Sequence, residues 1–114
     1  MIGDLTLDAI HASLNGLNTR RAASEDAIAN SETPGYIARN VEFESQLDRA
    51  ISGGDPLSIS PTTSLTTDEA LPNGNNVKLE RELVSLTDTA LRQQLLVEAA
   101  NAKFRLLRTV ITGQ

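Results

Sequence analysis

Cysteine is absent from this 114-residue chain, which excludes a disulfide framework, thiol chemistry and any Cys-based zinc site. Tryptophan is absent too, and the aromatics are limited to Tyr36, Phe43 and Phe104. Large rings dominate core energetics, so core-building material is thin. Apolar residues make up 39%, below the usual globular share, and many are Ala. No apolar run approaches the roughly 18 residues that would cross a membrane. Met1-Ile2-Gly3-Asp4-Leu5 lacks a basic stretch followed by an apolar one, so no Sec-type signal peptide is expected. A basic excess is missing as well. The net charge is −5, which argues against nucleic acid as a partner. Residues 32–76 hold seven acids and two bases, whereas residues 77–114 hold four acids and six bases.

What is present divides into three parts, 1–31, 32–76 and 77–114. Residues 5 to about 31 read as a helix whose apolar points Leu7, Ile10, Leu14 and Leu17 step by 3 and 4. Gly16 weakens it by about 1 kcal/mol relative to Ala. Thr33-Pro34-Gly35-Tyr36 then forbids helix: Pro34 moves Thr33 out of the α region, and Pro-Gly is the pair a type II turn requires. Val41-Glu42-Phe43 alternates like a short strand, and Phe43 to Ile51 suits a helical turn or two. Beyond it, Gly53-Gly54-Asp55-Pro56, Pro61-Thr62-Thr63-Ser64 and Pro72-Asn73-Gly74-Asn75-Asn76 are loop chemistry, so the middle is expected to be irregular or disordered.

Residues 77 to about 112 carry the strongest pattern. Leu79, Leu83, Leu86, Ala90, Gln93, Val97, Ala100, Phe104, Leu107 and Ile111 step by 4 and 3, a heptad seam. Asn75-Asn76 supplies an N-cap candidate, and Glu80 and Glu82 suit the positive end of the helix. A second stripe, Val84, Leu91, Leu95, Leu106 and Val110, lies on another side. A helix apolar on two sides needs partners on two sides. The expected architecture is all-α: two long terminal helices pairing as an antiparallel, coiled-coil-like hairpin around an irregular middle. Leu79, Leu83, Leu86, Val97, Phe104, Leu107 and Ile111 would meet Leu7, Ile10, Leu14 and Leu17. The second stripe would meet other chains, and the monomer is expected to be weakly ordered alone.

Nothing in the sequence assembles a catalytic or cofactor site. His11 is the only histidine, and the acidic pairs Asp68-Glu69 and Glu80/Glu82 have no His, Cys or Gly-rich cradle beside them. No phosphate-loop spacing occurs, and residues 68–80 misplace the acids and glycine of a calcium loop. No enzyme activity, cofactor or metal is expected.

The stretches AIANSETPGY (27–36), IARNVEFESQL (37–47) and NGNNVKLERELVSLTDTALRQQLLVEAANAKFRLLRTVI (73–111) together resemble the flagellar axial proteins, and among them the FlgB family of basal-body rod proteins. Ala29, Asn30, Thr33, Pro34, Gly35 and Tyr36 match the axial motif. Asn73 to Glu82 and Lys103-Phe104-Arg105 match the FlgB branch rather than its sister FlgC. The polar run Arg21 to Asp26 departs from the usual first helix.

The resemblance implies a structural subunit of the proximal rod, with no enzymatic role. It implies polymerisation through terminal helices with other rod proteins (FlgC, FlgF, FlgG) and the adaptor FliE, between the MS ring with its export gate and the drive shaft. It places the protein in the basal body, in the periplasmic rod, after type III export without a cleaved signal peptide. Phe43 and Leu47 fit the Phe-x-x-x-apolar pattern of such export substrates, and equally an ordinary pair one helical turn apart. The alternative reading is a small helical adaptor or secretion chaperone acting as a stable dimer.

Overall fold

A computed structural model describes residues 2–113. Helix α1 (Ile2–Ala29) leads into strand β1 (Arg39–Glu42), helix α2 (Glu44–Ser52), a 3-10 turn (Pro56–Ser58), strand β2 (Thr62–Leu65) and helix α3 (Leu79–Thr112). The molecule is mostly helical and elongated, 65 × 27 × 13 Å. Most of its length is α3, whose 34 residues span about 50 Å at the α-helical rise.

α3 packs back along α1. Ser24 of α1 donates to Ser85 of α3 at 3.3 Å, while Leu17 lies in the same cleft as Leu95 and Leu96. Lower numbers on α1 therefore meet higher numbers on α3, which makes the pair antiparallel. α3 begins at Leu79, two residues later than the pattern suggests, and its N-cap Lys78 makes no side-chain cap. Gly113 ends it, with its N–H on the Thr109 carbonyl.

The middle segment has more regular structure than its composition predicts. β1 and β2 pair antiparallel, Val41 opposite Thr63 and Asn40 opposite Ser64. The alternation at Val41 places that side chain inward, whereas β2, whose Pro-Thr-Thr-Ser lead-in reads as loop, is exposed throughout. β1, α2 and the 3-10 turn all pack on α1, on a different side from α3.

The core is small, as the lack of aromatics requires. Its buried apolar residues include only one Leu, one Val and one Phe: Leu17, Val41 and Phe43 join Ala12, Ala27 and Ala38. Phe43 is the largest, and its ring sits directly on α1 at Gly16. A Cβ added to Gly16 would lie 2.5 Å from the ring. The glycine that weakens the helix locally is thus what admits the one buried ring, whose burial is worth about 1.5–3 kcal/mol. Arg20, one turn further on, places its guanidinium 4.9 Å from the ring centroid.

Gly16→Ala is expected to lower the melting temperature followed by circular dichroism. The helix gains about 1 kcal/mol of propensity, but displacing a buried ring costs about 1–3 kcal/mol, and the contact at 2.5 Å leaves no room for relaxation in place. An unchanged or higher melting temperature would show that Phe43 does not depend on the glycine.

Candidate functional site

Two features are available for function: the junction where the two sequence motifs meet, and the outer face of α3.

The junction begins with the turn. Asn30 ends α1 by donating its N–H and its Nδ2 to the Asp26 carbonyl, at 3.0 and 2.8 Å. Thr33 donates from Oγ1 to Asn30 Oδ1 at 3.0 Å. Tyr36 donates its N–H to the Thr33 carbonyl at 3.2 Å, and Gly35 has φ +75°, which together make the type II turn the Pro-Gly pair requires. Ala29, Thr33, Pro34 and Gly35 are exposed and Tyr36 is half-buried.

Asn75 and Asn76 are not helix caps. Both are buried inside this turn. Asn75 is 0% exposed; its Nδ2 donates to the Asn30 carbonyl at 2.9 Å and to the Thr33 carbonyl at 2.8 Å. Its Oδ1 accepts the Val77 N–H at 2.8 Å. Asn76 donates from Nδ2 to Thr66 Oγ1 at 2.7 Å and to the Asp68 carbonyl at 3.3 Å, and its Oδ1 accepts the Ala38 N–H at 2.7 Å. Two primary amides thus use both donors and an acceptor each, which offsets the cost of burying them. Backbone bonds close the same knot: Gly35 N–H to the Asn73 carbonyl and Asn76 N–H to that of Tyr36. Gly74, at φ +86°, lies so near that a Cβ there would be 3.2 Å from the Gly35 Cα. The end of α1, the first strand and the start of α3 are therefore fixed to one another by side chains from only two adjacent positions.

A second tie lies further along α1. Arg20 donates from Nη1 and Nη2 to the two carboxylate oxygens of Glu44, each at 2.7 Å, and from Nε and Nη2 to the Val41 carbonyl at 3.2 and 2.6 Å. This fork holds β1 and α2 on α1. The Arg20 guanidinium keeps the Glu44 carboxyl down at about 2 and is itself pushed up by the same hydrogen bond. Glu82 shows the opposite sign. Burial against α1 raises its carboxyl above the ordinary range, partly countered by a hydrogen bond from Ser24. Phe43 and Leu47 stand one turn apart, joined by the Leu47 N–H on the Phe43 carbonyl at 2.8 Å, with Phe43 buried and Leu47 half-buried.

α3 presents two faces. Its least exposed positions are Glu82, Leu86, Thr89, Gln93, Leu96, Ala100, Lys103 and Leu107, stepping by 4 and 3. This row against α1 shares Leu86, Gln93, Ala100 and Leu107 with the heptad seam but is rotated from it by roughly 50° at 100° per residue. Leu79, Leu83, Val97, Phe104 and Ile111 consequently stand exposed, from 46% to 82%. Small and polar side chains, as at Ser24 and Ser85, share the inward face with Leu86, Leu96 and Leu107. On α1, Leu17 is buried and Leu7, Ile10 and Leu14 are half-buried. Val84 and Leu91 lie opposite the inward row, whereas Leu95 flanks it on the cleft shared with Leu17 and Leu106 and Val110 lie toward the far end of α3; all five are exposed, with Leu95 at 70% and Val110 at 73%. Among the described residues no group of three metal-ligating side chains gathers, and no helix is long and apolar enough to cross a membrane.

The chain is 31% identical to the flagellar basal body rod protein FlgB of Bacillus subtilis, over 95% of this chain and 94% of that protein. It belongs to the FlgB family. FlgB of Salmonella typhimurium is 27% identical over 94% of this chain and 98% of its own length, and FlgB of Borrelia hermsii 27% over 96% and 98%. No protein-family model matches the chain. FlgB proteins are structural components of the flagellar basal body rod, not enzymes.

In this FlgB chain, pattern reading found the Thr-Pro-Gly-Tyr turn but not the asparagines that fill it. Nor did it find Gly16, Arg20 and Glu44 as a set. The signal for the latter was a glycine in mid-helix together with one of only two Phe residues, a gap and a knob of matching size.

Two outcomes follow. Asn75→Ala is expected to destabilise the fold by about 1–3 kcal/mol in urea titration, because the bonds of the buried amide to the Asn30 and Thr33 carbonyls and to the Val77 N–H are lost; a change near zero would leave the junction without energetic weight. The second concerns acid. Glu44 is depressed in the folded state, so its contribution is present above the ordinary value of 4.5 and is lost as pH falls from there toward about 2. Glu82 is raised, so its charged form destabilises the fold at neutral pH, and acidification relieves it. Glu82→Gln is therefore expected to stabilise the protein at pH 7 and to gain nothing below about pH 4. Glu44→Gln should remove the acid loss. A pH series of melts for both variants checks the two signs.

Proposed function

We propose that this chain is a subunit of the proximal rod that polymerises through its terminal helices, with α1 and α3 forming the coiled-coil-like hairpin of the rod's helical layer. The observation that carries the reading is the outer row of α3. Five aliphatic side chains, Val84, Leu91, Leu95, Leu106 and Val110, stand exposed along α3. Burying such a row against a neighbour is worth about 25 cal/mol per Å² of apolar surface, and the subunit's own small core leaves that gain to assembly. Leu79, Leu83, Val97, Phe104 and Ile111, turned aside from α1, widen the assembly face.

The Thr33–Tyr36 turn and the asparagines beneath it set where the chain leaves the helical layer. The partners are other rod proteins, FlgC, FlgF and FlgG, with the adaptor FliE toward the MS ring and export gate. The subunit reaches the rod by type III export without a cleaved signal. Phe43 and Leu47 would be presented to the gate only by the unfolded chain, because Phe43 is buried once α2 docks.

In a host lacking the gene, the intact gene is expected to restore flagella and swimming. A gene carrying Leu95→Asp and Leu106→Asp should not, although the purified variant keeps its helical signal, since both positions face solvent in the subunit. Full restoration by the double variant would remove the outer row from the assembly.

A further inference from the structure

Asparagine precedes glycine twice in the chain, at Asn15-Gly16 and at Asn73-Gly74. That pair is prone to deamidation, because glycine has no side chain to shield its backbone nitrogen and allows the turn the reaction needs. At the second pair the steps are these. The Gly74 amide gives its proton to hydroxide, and its nitrogen bonds to Asn73 Cγ. The Nδ2 group takes a proton from water and leaves as ammonia. Water then opens the cyclic imide at either carbonyl, giving an α-linked or a β-linked aspartate. Ring closure requires a nitrogen free of other bonds and a side chain free to turn onto it.

In the folded subunit neither is free. The Gly74 N–H donates to the Leu71 carbonyl at 2.8 Å, and Asn73 Oδ1 accepts the Asn75 N–H at 3.0 Å. The Asn73 carbonyl accepts the Gly35 N–H at 2.9 Å. Gly74 also lies against Gly35, where a Cβ would be 3.2 Å from the Gly35 Cα, so the peptide is packed as well as bonded. Asn73 itself is exposed, so water and hydroxide reach it. We propose that Asn73-Gly74 is a modification site gated by the fold, closed while the junction is made and open to deamidation when the junction parts. The inference goes beyond the rod-subunit reading and does not rest on it.

The two products act differently on the junction. The α-linked aspartate keeps the chain path and keeps an oxygen for the Asn75 N–H. The β-linked form routes the backbone through the former side chain and lengthens it by one carbon between Leu71 and Asn75. Those residues are tied by the Leu71 N–H on the Asn75 carbonyl at 2.8 Å, so the longer span cannot keep the bonds of Gly35, Gly74 and Asn75 together. A chain that reacts this way while open is marked and does not close the knot again. Asn15-Gly16 serves as an internal reference. It lies inside α1, with the Phe43 ring on Gly16, and opens only with the helix.

The test follows both pairs by peptide mass mapping while the full chain ages in mildly alkaline buffer, with and without guanidinium chloride. Three engaged hydrogen bonds predict a rate at Asn73 on the order of a hundredfold lower in the native chain than in denaturant. In Asn75→Ala, checked for folding by circular dichroism, the native rate at Asn73 should rise several-fold while Asn15 stays protected. If that variant does not fold, the wild-type comparison decides alone. Asn73→Asp should refold as the wild type does. Chains aged in denaturant in an Asn15→Gln background should lose refolding in proportion to their β-linked residue 73. Equal native and denatured rates at Asn73, or a native rate unmoved in folded Asn75→Ala, would overturn the gate. Recovery of the native fold by chains carrying the β-linked residue would overturn the mark. None of these results bears on the rod-subunit reading.

Discussion

Two adjacent side-chain amides, Asn75 and Asn76, are the constraint on which the rest of the subunit depends. Neither could sit in an interior this small without partners, and both find a full set: the Asn30 and Thr33 carbonyls for one, Thr66, Asp68 and Ala38 for the other. Those partners come from the end of α1, the turn beyond it, the approach to β1 and the exit from β2. The antiparallel register of the two long helices follows, because α3 must start beside the point where α1 stops. Directional bonds to buried carbonyls specify position in a way that contacts among alanines do not. Gly74 belongs to the same device, since a Cβ there would crowd the Gly35 backbone.

The small core explains the distribution of apolar surface. Ala12, Ala27 and Ala38 bury little area each, and the single large group, Phe43, needs the bare backbone of Gly16 to be accommodated. α3 turns Glu82, Thr89 and Gln93 toward α1 along with Leu86, Leu96 and Leu107, and leaves nine other large aliphatics, Leu83, Leu91 and Leu95 among them, exposed. Thr89 Oγ1 is buried without a hydrogen-bond partner, and Glu82 is partly dehydrated beside Ser24. A subunit optimised for solitary stability would reverse that choice.

Much of this was legible in the residues. The two long helices follow from 3.6-residue patterning, and the turn between α1 and β1 from the stereochemistry of Pro34-Gly35. The residues Val84, Leu91, Leu95, Leu106 and Val110 are all exposed in the subunit. The rotation of α3 was not legible. A heptad rule ranks positions by apolarity and assigns Leu83 and Val97 to the seam, whereas the contact with α1 is set by how closely backbones approach, which favours Ser85 and Thr89. β2 escaped for a related reason: Thr62-Thr63-Ser64 has no apolar face, and its pairing is decided by β1, more than twenty residues away. Asn75 and Asn76 read as caps because local sequence carries no record of partners some forty positions distant.

The claim that most needs measurement is that the buried asparagines, and not the helix pairing alone, hold the subunit together. Residue-resolved amide hydrogen exchange of the free protein addresses it directly. The N–H groups of Gly35, Ala38, Thr66 and Asn76 all cross the junction, and none lies inside a helix. Protection there approaching that of mid-α1 amides, and well above that of the last turns of α3, is the predicted result. Exchange at those four amides as fast as in the last turns of α3, with α1 still protected, would contradict the account.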